Sequence, residues 1–590
     1  MYSDTTDYPL LTFKSFANHI TLAIAGAMTS MLSLSFAVPV KAAERIYFDY
    51  GILGIAIPRQ DLDIFAETGA ISSSLKPILS RMDDRSQAQL QDILLARYDV
   101  DPVLANRFSY TRSGQHVLET IGEVVQTESG QNGFYALRAA LTLAAADEDG
   151  LTILNFLQHL PTDIRVDVAQ GLAIAREFSS LLADTEAAMD GLASANHAPG
   201  DASTKHPTAI SAGSTVSPGL NFTDLPDPRQ PGDGLSSMQT LQLYDEERDR
   251  PINLDIYTPR LTTPNTSQQI PVIVVSNGLG ARRSRFDELA IHLASYGFAV
   301  VMLDHPGSDR QRLQEFYQGL HTENFEATEF IDRPLDISFV LDELTRLNGA
   351  QFNRQLDLNN VGMFGYSFGG TTALALAGAK IDRDHLQQAC ANESSLFNIS
   401  LLYQCRALEL APTILDDQIL RDPRIQATYV YVPFSHSLYG PKGLALVEGP
   451  VFWEATEQDI LTPLVIEQLP AFSWITNISD SADCDTDHRI GDRYLVVSEG
   501  LPHARLTLDV VNRLTNQSVA WEDIKPITET YHQMLTTIFF QVHLAQDQTY
   551  RPYLRAEGTD YLAQESYPLH WQQCDYDYIR SRKLAQTPKR

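Results

Sequence analysis

The sequence predicts an α/β fold, a mostly parallel sheet with helices on both faces, preceded by a small all-α domain. Three observations carry this. Residues from about Glu44 to Met189 repeat apolar positions at three and four, the period of a helix with one buried face. Beyond residue 235, short β-branched runs alternate with helix-period segments, and strand–helix–strand in series makes a parallel sheet. The stretch "NNVGMFGYSFGGTTALALAGAK" (359–380) runs from strand pattern to helix pattern through one serine set between glycines.

In chain order, Ile20–Val38 is uncharged and apolar, with Lys14 before it and "VKAAE" after it. That is the layout of a secretory signal over 1–43, cut after Ala42 or Ala43. The alternative is an uncleaved membrane anchor, since the run approaches spanning length. Both readings put the bulk of the chain outside the cytoplasm, and once the signal is removed no membrane span remains. Over 44–189, "SQAQLQDILLARY", "GFYALRAALTLAAA" and "DVAQGLAIAREFSSLLADTEAAM" read as helices, separated by breakers at Asp101-Pro102 and Pro161-Thr162. Residues 190–234 are rich in Pro, Gly, Ser and Asp, which predicts a flexible linker.

The α/β domain spans 235–550. "MQTLQLYDEERDRPINLDIYTP" alternates apolar and polar residues across a turn, a hairpin pattern. "IPVIVVSN", "FAVVMLDHPG", "LNNVGMFGYS", "ATYVYVPF", "GPVFWEAT" and "RYLVVSEG" read as strands, most of them buried on both faces. "FDELAIHLASYG", "RPLDISFVLDELTRL" and "ETYHQMLTTIFFQVHLAQ" read as helices. Residues 380–421 form an insertion-like stretch, a possible lid, and 551–590 a C-terminal tail. The four cysteines, Cys390, Cys405, Cys484 and Cys574, allow two disulfides in an exported chain. Three pairings are possible, and Cys390 with Cys405 is attractive because both lie in one short segment.

The chain has 44 Lys and Arg against 74 Asp and Glu, a formal net charge of -30. Such a surface repels phosphate backbones, which argues against a nucleic-acid partner. Any lipid contact must be driven by apolar surface or by a neutral substrate.

Gly365-Tyr366-Ser367-Phe368-Gly369 fits G-x-S-x-G, closing a strand and opening a helix. A sharp elbow at that junction lifts a serine hydroxyl clear of the sheet. A hydroxyl needs a base to take its proton and a third group to orient that base. In this architecture the acid and then the histidine follow the serine in the chain. Asp459 lies just past "GPVFWEAT", before a Thr-Pro, and is the expected acid. Glu454 and Glu457 compete, but Glu454 falls within the strand, and Asp483, Asp485 and Asp487 come too early for the next one. His503 follows the last strand and is the expected base. His488 precedes that strand, and His436 belongs to an earlier loop. The oxyanion donors are expected from the backbone amides of Phe368, next to the nucleophile, and Leu279, in the glycine turn "NGLG".

"SNGLG", "DHPGSD", "GYSFGG", "DILTP" and the late histidine occur in this order. Together they resemble the platelet-activating-factor acetylhydrolase and dienelactone-hydrolase branch of the α/β-hydrolases, from about Met238 to "YRPYL". The resemblance implies an esterase that cleaves short-acyl, platelet-activating-factor-like or aryl esters without metal or cofactor. It maps the nucleophile to Ser367, the acid to Asp459, the base to His503 and the oxyanion amides to Leu279 and Phe368. Two positions depart from the family pattern: Asn277 stands where "HGLG" has histidine, and Tyr366 where "GHSFGG" has histidine. Both are expected at the substrate pocket. The helical segment resembles an N-terminal domain of unknown function carried by exported hydrolases of cyanobacteria. A second function class fits the same fold: a non-catalytic binding protein whose helical domain engages a protein partner. The intact Ser-Asp-His set argues against it.

Overall fold

The computed structural model describes residues 42–51, 53–98, 100–148, 150–196, 221–260, 269–392, 396–417, 420–475, 492–515 and 518–572. The signal-like stretch, Cys484, Cys574, Asp483, Asp485, Asp487 and His488 therefore lie outside the described residues. Among the described residues, no helix is long and apolar enough to cross a membrane.

The first domain holds the expected helices, including Asp84–Leu95 and Phe134–Ala145. It is α+β rather than all-α. Four strands, β1 (Arg45–Tyr50), β2 (Leu53–Pro58), β3 (Val125–Thr127) and β4 (Ile164–Asp167), form a sheet in the order β2-β1-β4-β3. Periodicity alone does not separate strands this short from helix fragments. Their apolar residues pack with Phe65, Leu79, Leu137 and Leu160 into a core separate from that of the next domain.

The long helix predicted at the end of this domain runs from Val168 to Asn196. Its last turns leave the first domain: Ala188, Met189 and Leu192 are buried in the core of the α/β domain. The segment expected to be linker is correspondingly shorter. Residues 190–196 continue the helix, and Phe222 stacks on Tyr561 with ring centroids 5.1 Å apart. Apolar contacts at both ends outweigh the low apolar content of the segment as a whole.

Nine strands build the main sheet: β5 (Leu235–Asp245), β6 (Arg250–Arg260), β7 (Ile270–Ser276), β8 (Ala299–Leu303), β9 (Leu356–Tyr366), β10 (Ile425–Tyr431), β11 (Val451–Gln458), β12 (Arg493–Pro502) and β13 (Leu569–Gln572). Their order is β13-β12-β11-β10-β9-β7-β8-β6-β5. β8, β7, β9, β10, β11 and β12 run parallel, while β5, β6 and β13 add antiparallel edges. The tail thus contributes an edge strand, and its Trp571 is buried in one core with Tyr553 and Leu562. β-Branched runs make central strands here because alternate residues point to opposite faces and both faces are covered. Val272 and Val274 enter one core with Ile337 and Val340 of helix Glu329–Gln351. Ile273 and Val275 enter the other with Leu535 and Phe539 of helix Trp521–His543.

Residues 380–421 carry helices Arg383–Asn392, Ile399–Gln404 and Pro412–Asp417. Leu386 and Ala407 tie this insertion into the main core, and Cys390 and Cys405 are joined by a disulfide. The bond closes a 15-residue separation. Cys405→Ser is expected to lower stability by about 3 kcal/mol, the loop-entropy value for that length. An unchanged urea midpoint would contradict this.

Candidate active site

β9 ends at Tyr366 and the next helix begins at Phe368, so Ser367 alone makes the turn. Its φ is 54° and its ψ -116°, a conformation that costs a non-glycine residue on the order of 1–3 kcal/mol. The surrounding backbone holds it there. The Ser367 amide donates to Tyr431 O at 2.9 Å, and its carbonyl accepts from Gly370 N at 2.9 Å and Thr371 N at 3.1 Å. The flanking glycines permit the close approach. A Cβ at Gly365 would lie 2.2 Å from Gly369 O, and one at Gly369 would lie 1.8 Å from Ser276 O.

His503 follows β12 and Asp459 follows β11, and these strands are parallel neighbours with Gln458 opposite Pro502. The pairing delivers the two side chains to one spot. His503 Nε2 lies 3.2 Å from Ser367 Oγ, and His503 Nδ1 lies 2.7 Å from Asp459 Oδ2. Asp459 Oδ1 accepts from the amides of Leu461 and Thr462, each at 2.8 Å, and Oδ2 from Thr462 Oγ1 at 2.5 Å. Burial opposes ionisation of Asp459. The facing His503, with donors from His503 and Thr462, outweighs burial and holds the carboxyl below its usual range. The carboxylate therefore stays charged and fixes the Nδ1–H tautomer, which leaves Nε2 free to accept a proton from Ser367.

β7 and β9 are also parallel neighbours, with Ser276 opposite Gly365, so the turn after β7 meets the elbow. A side chain at Gly278 would lie 3.2 Å from the Ser367 Cβ. Gly280, at φ 69°, donates to Ser308 O at 2.8 Å and anchors the far end of the turn. Among the described residues, no protein acceptor takes the amide proton of Leu279 or Phe368.

Asn277 and Tyr366, expected at the substrate pocket, are both buried. Asn277 is buried and donates through Nδ2 to Arg283 O at 3.3 Å. The Tyr366 ring stacks on Tyr431, and its hydroxyl donates to the carbonyl of His503 at 3.2 Å. Tyr366 therefore braces the histidine from behind. The competing residues are occupied elsewhere. Glu454 is buried beneath the Tyr429 hydroxyl, and burial pushes its carboxyl up to about 8. Glu457 accepts from Gly500 N at 2.9 Å, and His436 stacks on Trp474 with centroids 4.4 Å apart.

Sequence reasoning did not single out Arg333. Its guanidinium is buried under the turn at 277–280. One terminal nitrogen donates to Asn277 O and, at 3.2 Å, to Ser276 Oγ; the other donates to Ser308 Oγ at 3.0 Å. It also lies 4.5 Å over the Phe368 ring. Burial lowers its pKa to about 10, still charged at neutral pH. Beneath it, His305 bridges Ser276 Oγ at 2.9 Å and Asp336 Oδ2 at 3.0 Å, with Ser276 and Asp336 fully buried. This second Ser-His-Asp set has no access to substrate. It is a structural support, and the "DHPGSD" and "RPLDIS" segments are its only trace in the sequence.

A crossover sheet with Ser367 after β9, Asp459 after β11 and His503 after β12 decides the fold. It is that of the α/β-hydrolases. A family model described as "alpha/beta hydrolase fold" matches residues 271–400. A second, described as an alpha/beta hydrolase of unknown function, matches residues 42–167, the first domain. The chain is 27% identical to platelet-activating factor acetylhydrolase of Cavia porcellus over 18% of its own length and 32% of that protein. The counterpart from Canis lupus familiaris is also 27% identical, over 20% of this chain and 36% of the relative. The match thus spans about a third of the length of these curated relatives.

Proposed function

We propose that the protein is an exported serine hydrolase of carboxylic esters working through an acyl-enzyme. The observation that supports this most is the unbroken relay Ser367 Oγ–His503–Asp459, with links of 3.2 and 2.7 Å, on a strained elbow. In this reading His503 Nε2 takes the Ser367 proton as Oγ attacks the ester carbonyl. The carbonyl oxygen becomes an oxyanion facing the Leu279 and Phe368 amides. Collapse breaks the bond to the alcohol, whose oxygen takes the proton from Nε2. Water then loses a proton to His503 and attacks the acyl carbon. The second collapse frees the acid and returns the proton to Ser367. Asp459 stabilises the imidazolium at both stages and is not itself protonated.

The likeness to platelet-activating factor acetylhydrolases supports a short-acyl, lipid or aryl ester substrate for this site. For export, Ala43 bears on the cut. It is buried and its amide donates to Leu160 O at 2.9 Å, so cleavage after Ala42 keeps that contact while cleavage after Ala43 removes it.

A fluorophosphonate probe tests the reading. Wild type should be labelled on the peptide containing Ser367, hydrolyse p-nitrophenyl acetate, and lose both properties in Ser367→Ala. A folded wild type that takes no label and turns over no p-nitrophenyl ester would sink it.

A further inference from the structure

Beside the relay lies a cavity of about 550 Å³ that the proposed reaction does not use. That size is typical of a small-molecule site. Four segments enclose it, one of them the helix Arg505–Thr515 with Val510 and Val511. Helix Val168–Asn196 supplies Ile174 and Phe178, and the disulfide-braced insertion supplies Phe397 and Ile399. The acid loop supplies Ile460 and Leu464. Phe178 and Phe397 meet with centroids 5.1 Å apart, so the first domain and the insertion join there.

We propose that this cavity receives an unbranched aliphatic chain on the leaving-alcohol side of the ester, with the helix Val168–Asn196 as one wall. The proposal rests on the esterase reading for its orientation. Its chemistry follows from the lining. Among the described residues the wall carries no Lys, Arg or His to pair with a phosphate, and Glu186 and Glu457 disfavour an anionic headgroup. The occupant is therefore neutral hydrocarbon. The side follows from position. Asp459, with Val510 and Val511 in the helix after His503, forms part of the wall, while Ser367, His503, Phe368 and residues 277–280 do not, so the cavity opens on the acid's side of the relay, away from the oxyanion amides of the proposed reaction. The leaving oxygen must reach His503 Nε2 to be protonated, whereas the acyl oxygen faces Leu279 and Phe368. On the esterase reading, a group extending past the acid into this cavity is the alcohol. Each methylene buried there strengthens binding about fourfold.

The test compares dodecyl acetate with ethyl acetate, and ethyl dodecanoate with ethyl acetate, in wild type and Ala175→Trp. Ala175 lines the cavity on the exposed face of the helix, so tryptophan fills the space without disturbing the core. The dodecyl-over-ethyl ratio of kcat/KM should fall about tenfold or more in Ala175→Trp. Leu172→Trp, on the same helix but outside the cavity wall and 44% exposed, should keep the wild-type ratio. Dodecanol binding, followed by calorimetry, should weaken in parallel in Ala175→Trp, independently of turnover. An unchanged ratio overturns the proposal, as does a chain-length effect confined to ethyl dodecanoate. Wild type that binds dodecanol yet hydrolyses no ester overturns the esterase reading and leaves the cavity assignment standing. Hydrolysis of p-nitrophenyl acetate without dodecanol binding does the reverse.

Discussion

Replacing Asp459 by asparagine is expected to cut kcat about ten-thousandfold while the fold survives. The reason lies in the donors around the carboxylate. The amides of Leu461 and Thr462 both point at Oδ1, so the carboxamide oxygen of an asparagine must take that position. Its NH₂ group then occupies the place of Oδ2 and faces His503 Nδ1, 2.7 Å away in the native protein. Nδ1 is forced to accept, and the imidazole proton moves to Nε2. A protonated Nε2 cannot take the proton of Ser367. Pre-steady-state hydrolysis of p-nitrophenyl acetate, with circular dichroism to check the fold, measures the effect. Activity within tenfold of wild type would mean that Asp459 does not orient the base.

Arg333→Met is expected to act on stability and on rate together. The guanidinium is a buried cation that donates to Asn277 O and Ser308 Oγ; the nearby carboxylates of Glu329 and Asp336 are themselves paired with Arg250. Methionine fills much of the volume but leaves Asn277 O and Ser308 Oγ without this donor. The loss is about 1–3 kcal/mol for a buried acceptor left unpaired. The urea midpoint reads it. The rate effect has a separate cause. Arg333 holds the carbonyl of Asn277 and the ring of Phe368, and so fixes the two backbone segments whose amides are proposed to face the oxyanion. Loosening them should reduce kcat/KM about a hundredfold, the lower range for losing one oxyanion donor. A trifluoromethyl ketone, which mimics the tetrahedral intermediate, should lose affinity in parallel while KM changes little. A variant that melts early yet keeps wild-type kcat/KM and ketone affinity at low temperature would show that Arg333 supports only the fold.

Much of the active edge was readable because its chemistry is local in the chain. Ser367 announces itself through glycines needed where backbone meets backbone, and the strand and helix periods on either side place it at a junction. Asp459 and His503 follow from the rule that parallel strands deliver their following residues to one edge. Asn277 and Tyr366 show the limit of that reasoning. Both are buried, and the contacts they make, Asn277 to Arg283 O and Tyr366 to Tyr431 and His503 O, join residues whose meeting no local pattern announces. The four short strands of the first domain were not legible, because three to six residues carry too few periods to distinguish strand from helix.

The amino-acid sequence by itself determined the α/β class, the parallel strand series, the elbow and the order of serine, acid and histidine, all of which rest on periodicity and turn chemistry within a few residues. Only the tertiary structure decided that the helix ending the first domain walls a cavity of the second, that the tail closes the sheet edge, and that Arg333 lies beneath the turn at 277–280. Those relations join residues tens to hundreds of positions apart. Packing of apolar faces sets them, and such packing is non-directional and leaves no spacing in the chain from which a partner could be read.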